Sequence, residues 1–261
     1  MTLSRLPLRD SNKSATALRA LRVLEILGAS RGPVSVAEVA RGIVADRSTA
    51  YRMLLTLMDA GYVDRDERSR NYRLSYKILS LTKWLIGDDE KLELIGDCLK
   101  SISDRTRETV HYSVLDGEEA ALILRVKGTQ LVNVDFQIGD RAPLHCTSIG
   151  KVLLAFQREV VVERIIGLGL PKVAVNTITD PHLFRMELMR VREEGFAYDD
   201  QEFADDMRCV AVPVLEPAGA VRGGISLSGP SYRYTPAKLA ELKDVASSAA
   251  SRLSKQLGGV P

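Results

Sequence analysis

The chain has 261 residues, 45% of them hydrophobic and 27% charged, which is typical of a soluble globular protein, and its formal net charge at pH 7 is only +2. No apolar run reaches the roughly 18 residues that a membrane-spanning helix needs. Three cysteines are too few for a disulfide framework, and three His and three Cys without a C-x-x-C pair make a structural zinc site improbable, so we expect no metal and no cofactor.

The N-terminus and the charge distribution indicate two modules. MTLSRLPLRDSNKS lacks the apolar stretch and cleavage site of a signal peptide, so we expect a cytoplasmic protein that is disordered over residues 1–13. Residues 1–85 hold 15 Lys and Arg against 8 Asp and Glu, whereas residues 86–261 hold 21 against 26. This split predicts a basic N-terminal module that faces a polyanion and an acidic C-terminal module that does not.

Three helices are predicted at the start of the chain. Ser14 can cap the first, Ser35 with Glu38 forms a capping box for a short second helix, and Asp46 can cap the third. We expect Gly28 to end the first helix. Helical spacing predicts the following inward-facing residues: Ala17, Ala20, Leu21, Leu24 and Leu27 in the first helix, and Ala50, Met53, Leu54 and Leu57 in the third.

The segment YVDRDERSRNYRLS after Gly61 predicts a β-hairpin, so residues 14–76 have the layout of a winged helix-turn-helix, followed by a linker helix over residues 77–90. A recognition helix enters the major groove by its N-terminal residues, and a wing reaches phosphates or the minor groove. The candidate DNA contacts are Ser35, Arg47, Ser48, Thr49, Tyr51, Arg52, Arg68 and Arg70. Winged helices also mediate protein–protein contacts, an alternative that the acidic residues of the wing favour slightly.

Residues 91–261 read as an α+β domain. An amphipathic helix over KLELIGDCLKSISDRTRE precedes strands predicted over TVHYSVL, AALILRV and LVNVDF. Helices follow at SIGKVLLAF, at about Pro181 to Glu194 and from Pro236 to near Leu257, and two further strands, CVAVPVL and RGGISLSG, flank the turn EPAGA. Antiparallel strands bracketed by helices predict one main sheet.

The segment APLHCTSIGKVLLAF, residues 142–156, contains the S-x-x-K spacing of a serine acyl-enzyme in Ser148 and Lys151. That chemistry also needs S-D-N and K-T-G elements, which the sequence lacks. His145 and Cys146 are neighbours, so in an extended segment their side chains point to opposite faces. We therefore expect no catalytic residue. A metabolic enzyme that uses residues 145–151, with the N-terminal module for assembly only, is the alternative.

The same segment suits ligand binding better. Thr147 is a good N-cap, and the N–H groups of Ser148, Ile149 and Gly150 are then expected at the positive end of a helix, where a carboxylate binds well. Ser226 and Ser228 are two residues apart on a predicted strand, so both point to one face. The residues predict a pocket for a small acid.

Segments at both ends of the chain resemble the isocitrate lyase regulator (IclR) family of bacterial transcription factors. The resemblance is carried by ALRVLEIL, RSTAYRMLLTLMDAGYV and YRLS, and then by APLHCTSIGKVLLA, YDDQEFADDMRCVAVPV and GGISLSGPSYR. It implies a GAF-like effector domain on a six-stranded antiparallel sheet. It also implies dimers formed through the DNA-binding domains and often paired into tetramers. The implied function is ligand-responsive binding of operator DNA, as a repressor or an activator.

The resemblance also implies the ligand contacts, which fall on Ser148, Ile149, Asp199, Cys209, Ser226 and Ser228. Together with the residue reading, the predicted effector site comprises Leu131, Val134, Phe136, Thr147, Ser148, Ile149, Gly150, Asp199, Cys209, Ser226 and Ser228. Leu131 and Val134 are expected to form its apolar wall. We expect a small organic acid, aromatic rather than glyoxylate-sized because Ile149 and Phe136 can pack a ring. An amide or hydrazide would suit Asp199 better and is the alternative.

Overall fold

The computed structural model describes residues 14–86, 90–134, 136–216 and 219–258. The chain divides into two compact units, Met1–Asp88 and Asp89–Pro261. The predicted disorder over residues 1–13 lies outside the described residues. Among the residues that are described, no helix combines the length and the apolar character that a membrane span requires.

The first unit contains a three-helix cluster followed by a hairpin. Its elements are α1 (Ala15–Ala29), α2 (Val36–Gly42), α3 (Arg47–Asp59), β1 (Val63–Arg65), β2 (Tyr72–Leu74), a 3-10 turn (Tyr76–Ile78) and α4 (Leu79–Ile86). β1 and β2 pair antiparallel, as the hairpin prediction requires. The winged helix-turn-helix is therefore confirmed.

All three predicted N-caps are confirmed. The Ser14 side chain accepts a hydrogen bond from the Ala17 N–H, and Asp46 accepts one from Thr49. Ser35 and Glu38 bond each other's backbone N–H groups in a complete capping box. These bonds satisfy donors that the first turn of a helix leaves without partners, so local sequence fixes where each helix begins.

The inward face of α1 differs from the prediction. Val23 and Leu27 are buried, whereas Ala17 is exposed and the Leu21 side chain is 57% exposed. The buried residues of α1 form a narrow stripe at positions i and i+4, because only part of the surface of this helix packs on α2 and β2. Gly28 lies inside α1 and does not end it; the C-cap is Ser30.

The second unit is built on one sheet of six antiparallel strands in the order β5-β4-β3-β8-β7-β6. Its strands are β3 (Val110–Asp116), β4 (Glu119–Val126), β5 (Arg141–Pro143), β6 (Ala197–Asp200), β7 (Met207–Leu215) and β8 (Val221–Pro230). Its helices are α5 (Glu90–Thr106), α6 (Ser148–Ala155), α7 (Glu159–Gly167), α8 (Pro181–Glu194) and α9 (Pro236–Gln256). The α+β class and the antiparallel sheet are confirmed.

Helices cover both faces of this sheet. α5 and α9 bury one face, where Tyr112, Val210 and Val212 point into an apolar core. α6, α7 and α8 form a second core with Ala197 and Ala211 on the opposite face. Because side chains alternate along a strand, neighbouring residues of β7 and β8 serve different layers.

Three details of the sheet and its connections differ from the prediction. The described residues of LVNVDF form no strand; the strand that pairs with the outer side of β4 is Arg141–Pro143. Side-chain bonds hold this segment instead, with Arg125 Nη1 donating to the Phe136 carbonyl at 2.7 Å. α7 and β6 were not predicted. β6 contains Asp199 and Asp200, residue types that are unfavourable in strands and that periodicity does not reveal.

Candidate ligand site and nucleic-acid interface

A cavity of about 50 Å³ lies between the sheet and the N-terminus of α6. Eight of the eleven predicted effector residues line it: Phe136, Thr147, Ser148, Ile149, Asp199, Cys209, Ser226 and Ser228. Their role as ligand contacts stays a prediction. Within the described ranges, no three His, Cys, Asp or Glu side chains are grouped to hold a metal ion.

The register of the sheet brings the polar groups of the cavity together. Asp199 on β6 pairs with Cys209 on β7, which pairs with Ser228 on β8. Ser226 pairs with Ala211 on one side and with His111 on β3 on the other. Residues in facing positions of adjacent strands share a face. These side chains therefore stand in two rows under the start of α6.

The remaining three predicted residues lie elsewhere. Leu131 is fully exposed and Val134 is half-buried outside the cavity wall, so the predicted apolar wall is wrong. Gly150 faces the chain and not a ligand: a Cβ there would lie 2.4 Å from Leu144 Cα. Its hydrogen atom is needed where α6 crosses the backbone of residues 143–144.

The predicted set of effector residues leaves out several residues of the cavity wall. The cavity is also lined by His111, Ser113, Ala120, Leu122, Asp140, Arg141, Ala142, Phe203 and Met207. Strand alternation was the available signal for His111 and Ser113, since Tyr112 between them faces the other core. Phe203 lies in the loop after β6, which has no periodic pattern, and Met207 is the first residue of β7.

The first two residues of α6, Ser148 and Ile149, line the cavity, and their N–H groups have no intrahelical partner. Thr147 caps the helix, accepting from the Gly150 N–H at 3.0 Å and donating to the Pro143 carbonyl at 2.7 Å. Gly150 is therefore not among the free donors, contrary to the prediction. Ser148 and Ile149, at the first two positions, keep their N–H groups available for an acceptor.

Asp199 is one of two acidic residues that line the cavity, with Asp140, and it is fully buried. Its Oδ1 accepts from the Glu202 N–H at 2.8 Å and from the Phe203 N–H at 3.3 Å. Its Oδ2 has no hydrogen-bond partner within the part of the chain that the structure describes. Burial raises the pKa of Asp199 to about 7. The carboxyl thus changes its charge near neutral pH.

Lys151 lies behind this wall and is 1% exposed. Its Nζ is 2.6 Å from Glu202 Oε1 and 3.1 Å from Glu187 Oε1. Glu187 is also paired with Arg190 at 2.8 Å. The S-x-x-K lysine is therefore a structural cation that joins α6 to α8 and to the loop after β6.

The other reactive groups of the segment are also held in inert states. Cys146 is buried, which raises the pKa of its thiol to about 12. Burial lowers the pKa of His145, whose Nε2 donates to the Pro171 carbonyl at 2.9 Å. A nucleophilic cysteine needs a lowered thiol pKa beside a base. The geometry therefore does not support the enzyme alternative.

The N-terminal turn of α3 presents an exposed polar surface. Arg47, Tyr51 and Arg52 are exposed, and neither arginine forms an ion pair with any described residue. Ser48 and Thr49 donate their hydroxyl protons to the Asp46 carboxylate at 2.6 and 2.7 Å. These bonds, the Ser48 side chain first, lower the pKa of Asp46. The two hydroxyls are thus left as acceptors toward any other partner.

The other predicted DNA contacts are a serine whose hydroxyl proton is already used in a hydrogen bond and two exposed arginines of the wing. Ser35 donates its hydroxyl to Glu38 Oε2 at 2.6 Å, so its proton is already used. Arg68 and Arg70 are exposed at the tip of the wing. Asp66, expected to dilute the charge of the wing, instead accepts from the N–H and hydroxyl of Ser69 and shapes its turn.

Two arginines were missed as members of this surface. Arg41 lies with Asp46 and Arg47 around a groove between α2 and α3, and it is exposed. Arg73 is the outward residue of β2. Their helix and strand positions followed from the predicted elements, so alternation and helical spacing could have identified both.

Two family models match the chain. The IclR helix-turn-helix domain matches residues 16–67, and the bacterial transcriptional regulator IclR C-terminal domain matches residues 92–255. The regulator KdgR of Escherichia coli is 30% identical over 251 residues, which are 96% of this chain and 95% of that protein.

Solved structures agree. The structure of IclR from Thermotoga maritima superposes with a TM-score of 0.77 and 31% identity over 93% of this chain and 98% of that one. An IclR homologue from Microbacterium hydrocarbonoxydans in complex with 4-hydroxybenzoate gives a TM-score of 0.77 at 22% identity, covering 93% of this chain and 98% of that one. The second match shows the shared fold.

We predict that Lys151→Met destabilises the protein by about 3–5 kcal/mol, because it leaves Glu202 as a buried carboxylate without its cation. Urea unfolding measures the loss. Combining Lys151→Met with Glu202→Gln should recover most of it, since the pair is then removed together. Lys100→Met, at an exposed pair with Asp104, is the control and should leave the midpoint unchanged. A Lys151→Met protein as stable as wild type would contradict the structural role of this cation.

Proposed function

Because the chain belongs to the IclR family of bacterial transcriptional regulators, with both of its domains, we propose that it binds operator DNA as a dimer and changes its affinity for that DNA when a small organic acid fills the sensor cavity. It is a DNA-binding regulator and not an enzyme. A regulator of bacterial operators works in the cytoplasm, where the chromosome lies. The observation that carries the proposal is the cavity at the N-terminus of α6.

The exposed start of α3 supports its role as the recognition helix. Arg47 and Arg52 are unpaired among the described residues and can each bind the O6 and N7 atoms of a guanine or a phosphate. Ser48 and Thr49, with their protons directed at Asp46, can accept from the amino groups of adenine or cytosine. Tyr51 completes this surface. Arg68 and Arg70 in the wing, and Ser35 by its backbone N–H groups, suit phosphates.

We predict that Arg47→Ala or Arg52→Ala weakens operator binding by about 1–3 kcal/mol and relaxes base preference, if the contact is bidentate to guanine. Arg70→Ala should instead weaken binding to all sequences alike. Mobility shifts with DNA upstream of the gene and with random DNA measure both effects. Arg192→Ala, exposed on α8, is the control. Equal losses on all DNA for all three variants would mean that α3 does not read bases.

The cavity supports an acid as effector. The N–H groups of Ser148 and Ile149 and the hydroxyls of Ser226 and Ser228 are donors suited to a carboxylate. At about 50 Å³ the cavity is smaller than the roughly 150 Å³ of a benzene-binding cavity, so a ring requires Phe136 and Phe203 to part. The 4-hydroxybenzoate complex of the Microbacterium protein supports an aromatic acid. An amide or hydrazide, which donates to Asp199, is the alternative.

We predict that a thermal-shift screen of small organic acids and their amides finds a compound that raises the melting temperature, because a ligand of the native state stabilises it. The shift should be lost in Ser226→Ala with Ser228→Ala, whose hydroxyls line the cavity. Ser251→Ala, exposed on α9, should keep it. A shift that survives the double substitution would place the effector elsewhere.

Exposed apolar residues of the first unit support dimerisation through residues 14–90. Tyr76, Leu79 and Leu81 are 89%, 60% and 58% exposed, and Leu21 on α1 is also exposed. Such side chains on one small domain mark an association surface. A two-fold dimer also doubles the base pairs that one recognition helix reads. We include a tetramer formed through the sensor domains in the proposal.

We predict that light scattering at micromolar concentration gives a dimer or a tetramer. Leu79→Asp with Leu81→Asp should shift the protein toward monomer, because charges would then be buried at the interface. Leu168→Asp, equally exposed in the second unit, should leave the dimer intact. A monomeric wild-type protein would contradict this assembly.

A further inference from the structure

Donors and an acidic acceptor line the same small cavity. The N–H groups of Ser148 and Ile149, which have no backbone acceptor among the described residues, attract an anion. Asp199, fully buried in the same wall, turns Oδ2 toward no partner among the described residues. A carboxylate that reaches the helix N-terminus therefore meets a second carboxyl group. Two carboxylates in contact cannot both stay ionised, and such pairs hold one proton between them.

The cations in and behind the cavity wall are already paired with carboxylates. Lys151, on α6, is paired with Glu202 of the loop after β6 and with Glu187 of α8. Arg141, which lines the cavity from β5, is paired with Asp116 and Glu119. Neither cation is available to neutralise a bound anion, and the two glutamates that pair with Lys151 add negative charge. The local charge balance thus favours a proton on Asp199.

Four further titratable residues lie in or next to the cavity wall. His111 of β3 lines the cavity and packs edge-on against Phe136, and Asp140 lies at the β5 side. Cys146, before α6, is buried. Cys209 of β7 is also buried, which is the largest cause that raises the pKa of its thiol. A thiol is only a weak donor, so its contact with Asp199 does not satisfy the carboxylate.

We propose that Asp199 selects the effector by its protonation: an acid enters the cavity together with one proton from solvent, which Asp199 and the effector carboxylate share, whereas a neutral amide enters without one. This inference rests on the proposed function. The balance is one effector carboxylate, one Asp199 carboxylate and one proton, joined in an O–H···O bond of net charge −1. An amide needs no proton, because its N–H₂ group donates to the ionised Asp199.

The ionisation of Asp199 sets the pH range of this selection. Burial first, and then the charge of Glu202, raise the pKa of Asp199, against the two backbone N–H groups and Lys151, so that it lies at about 7. Asp199 is therefore mostly protonated one unit below that value and mostly ionised one unit above it. Since only the protonated form accepts an acid, the apparent dissociation constant rises as this form becomes rare.

The test is calorimetric titration of the full-length protein with 4-hydroxybenzoate, benzoate and 4-hydroxybenzamide. We expect both acids to bind about tenfold more weakly at about pH 8 than at about pH 6, whereas the amide binds equally well or better. Both acid carboxyl groups are ionised throughout this range, so the change belongs to the protein. Titrations at the higher pH in buffers of different ionisation enthalpy should show close to one proton taken up per acid bound.

Asp199→Asn provides the matched variant, because its amide donates as the protonated carboxyl does. It should bind the acids at the higher pH as tightly as wild type does at the lower one, without pH dependence. Asp200→Asn is the control, since Asp200 is exposed on the same strand and paired with Arg208. It should keep the wild-type pH dependence. If Asp199→Asn does not fold, the proton uptake measured for the wild-type protein still tests the inference.

Three outcomes would overturn the inference: acid affinity that does not change with pH, the same pH dependence in Asp199→Asn, or no binding of either acid at the lower pH. Operator binding of the same preparations is measured by mobility shift. A protein that binds its operator but takes up acid without a proton contradicts the role of Asp199 alone. A protein that binds no operator contradicts the proposed function instead.

Discussion

Cys209 pairs with Asp199 on one side and with Ser228 on the other, and this register across three antiparallel strands determines the sensor site. A slip of β7 by one residue would turn Cys209 toward α5 and α9 and bring a valine into the cavity. The register is fixed because Val210 and Val212 of β7 point to the opposite face of the sheet, where they are buried in the core. Packing on one face of the sheet therefore positions the polar groups on the other.

Above this sheet, α6 supplies the complementary charge. Thr147 fixes its first turn, Gly150 allows it to approach the backbone of residues 143–144, and Lys151 anchors it to Glu202 and Glu187. The pair of Lys151 with Glu202 also links the helix to the loop after β6. In this loop the N–H of Glu202 donates a hydrogen bond to Oδ1 of Asp199. Helix end and carboxyl group are thus held opposite each other by one buried network.

Local sequence determined much of what was predicted. The caps at Ser14, Ser35 and Asp46, and the shared face of Ser226 and Ser228, follow from residue type and spacing within a few positions. The partners of Lys151 do not, because Glu202 lies 51 residues away and only the fold brings the two together. Leu131 was misplaced for a related reason. An apolar residue in an irregular segment carries no periodicity that shows whether tertiary contacts bury it.

The two units have complementary roles in a regulator of this family. In the proposed function, one unit presents to DNA two arginines that form no ion pair with any described residue, and the other encloses the ligand cavity. The most direct test of the account is the operator affinity, by fluorescence anisotropy, with and without the acid found in the screen. We expect the acid to change the dissociation constant for wild type but not for the protein with Ser226→Ala and Ser228→Ala. An unchanged constant for wild type, or an equal change in both proteins, would contradict control of DNA binding by this cavity.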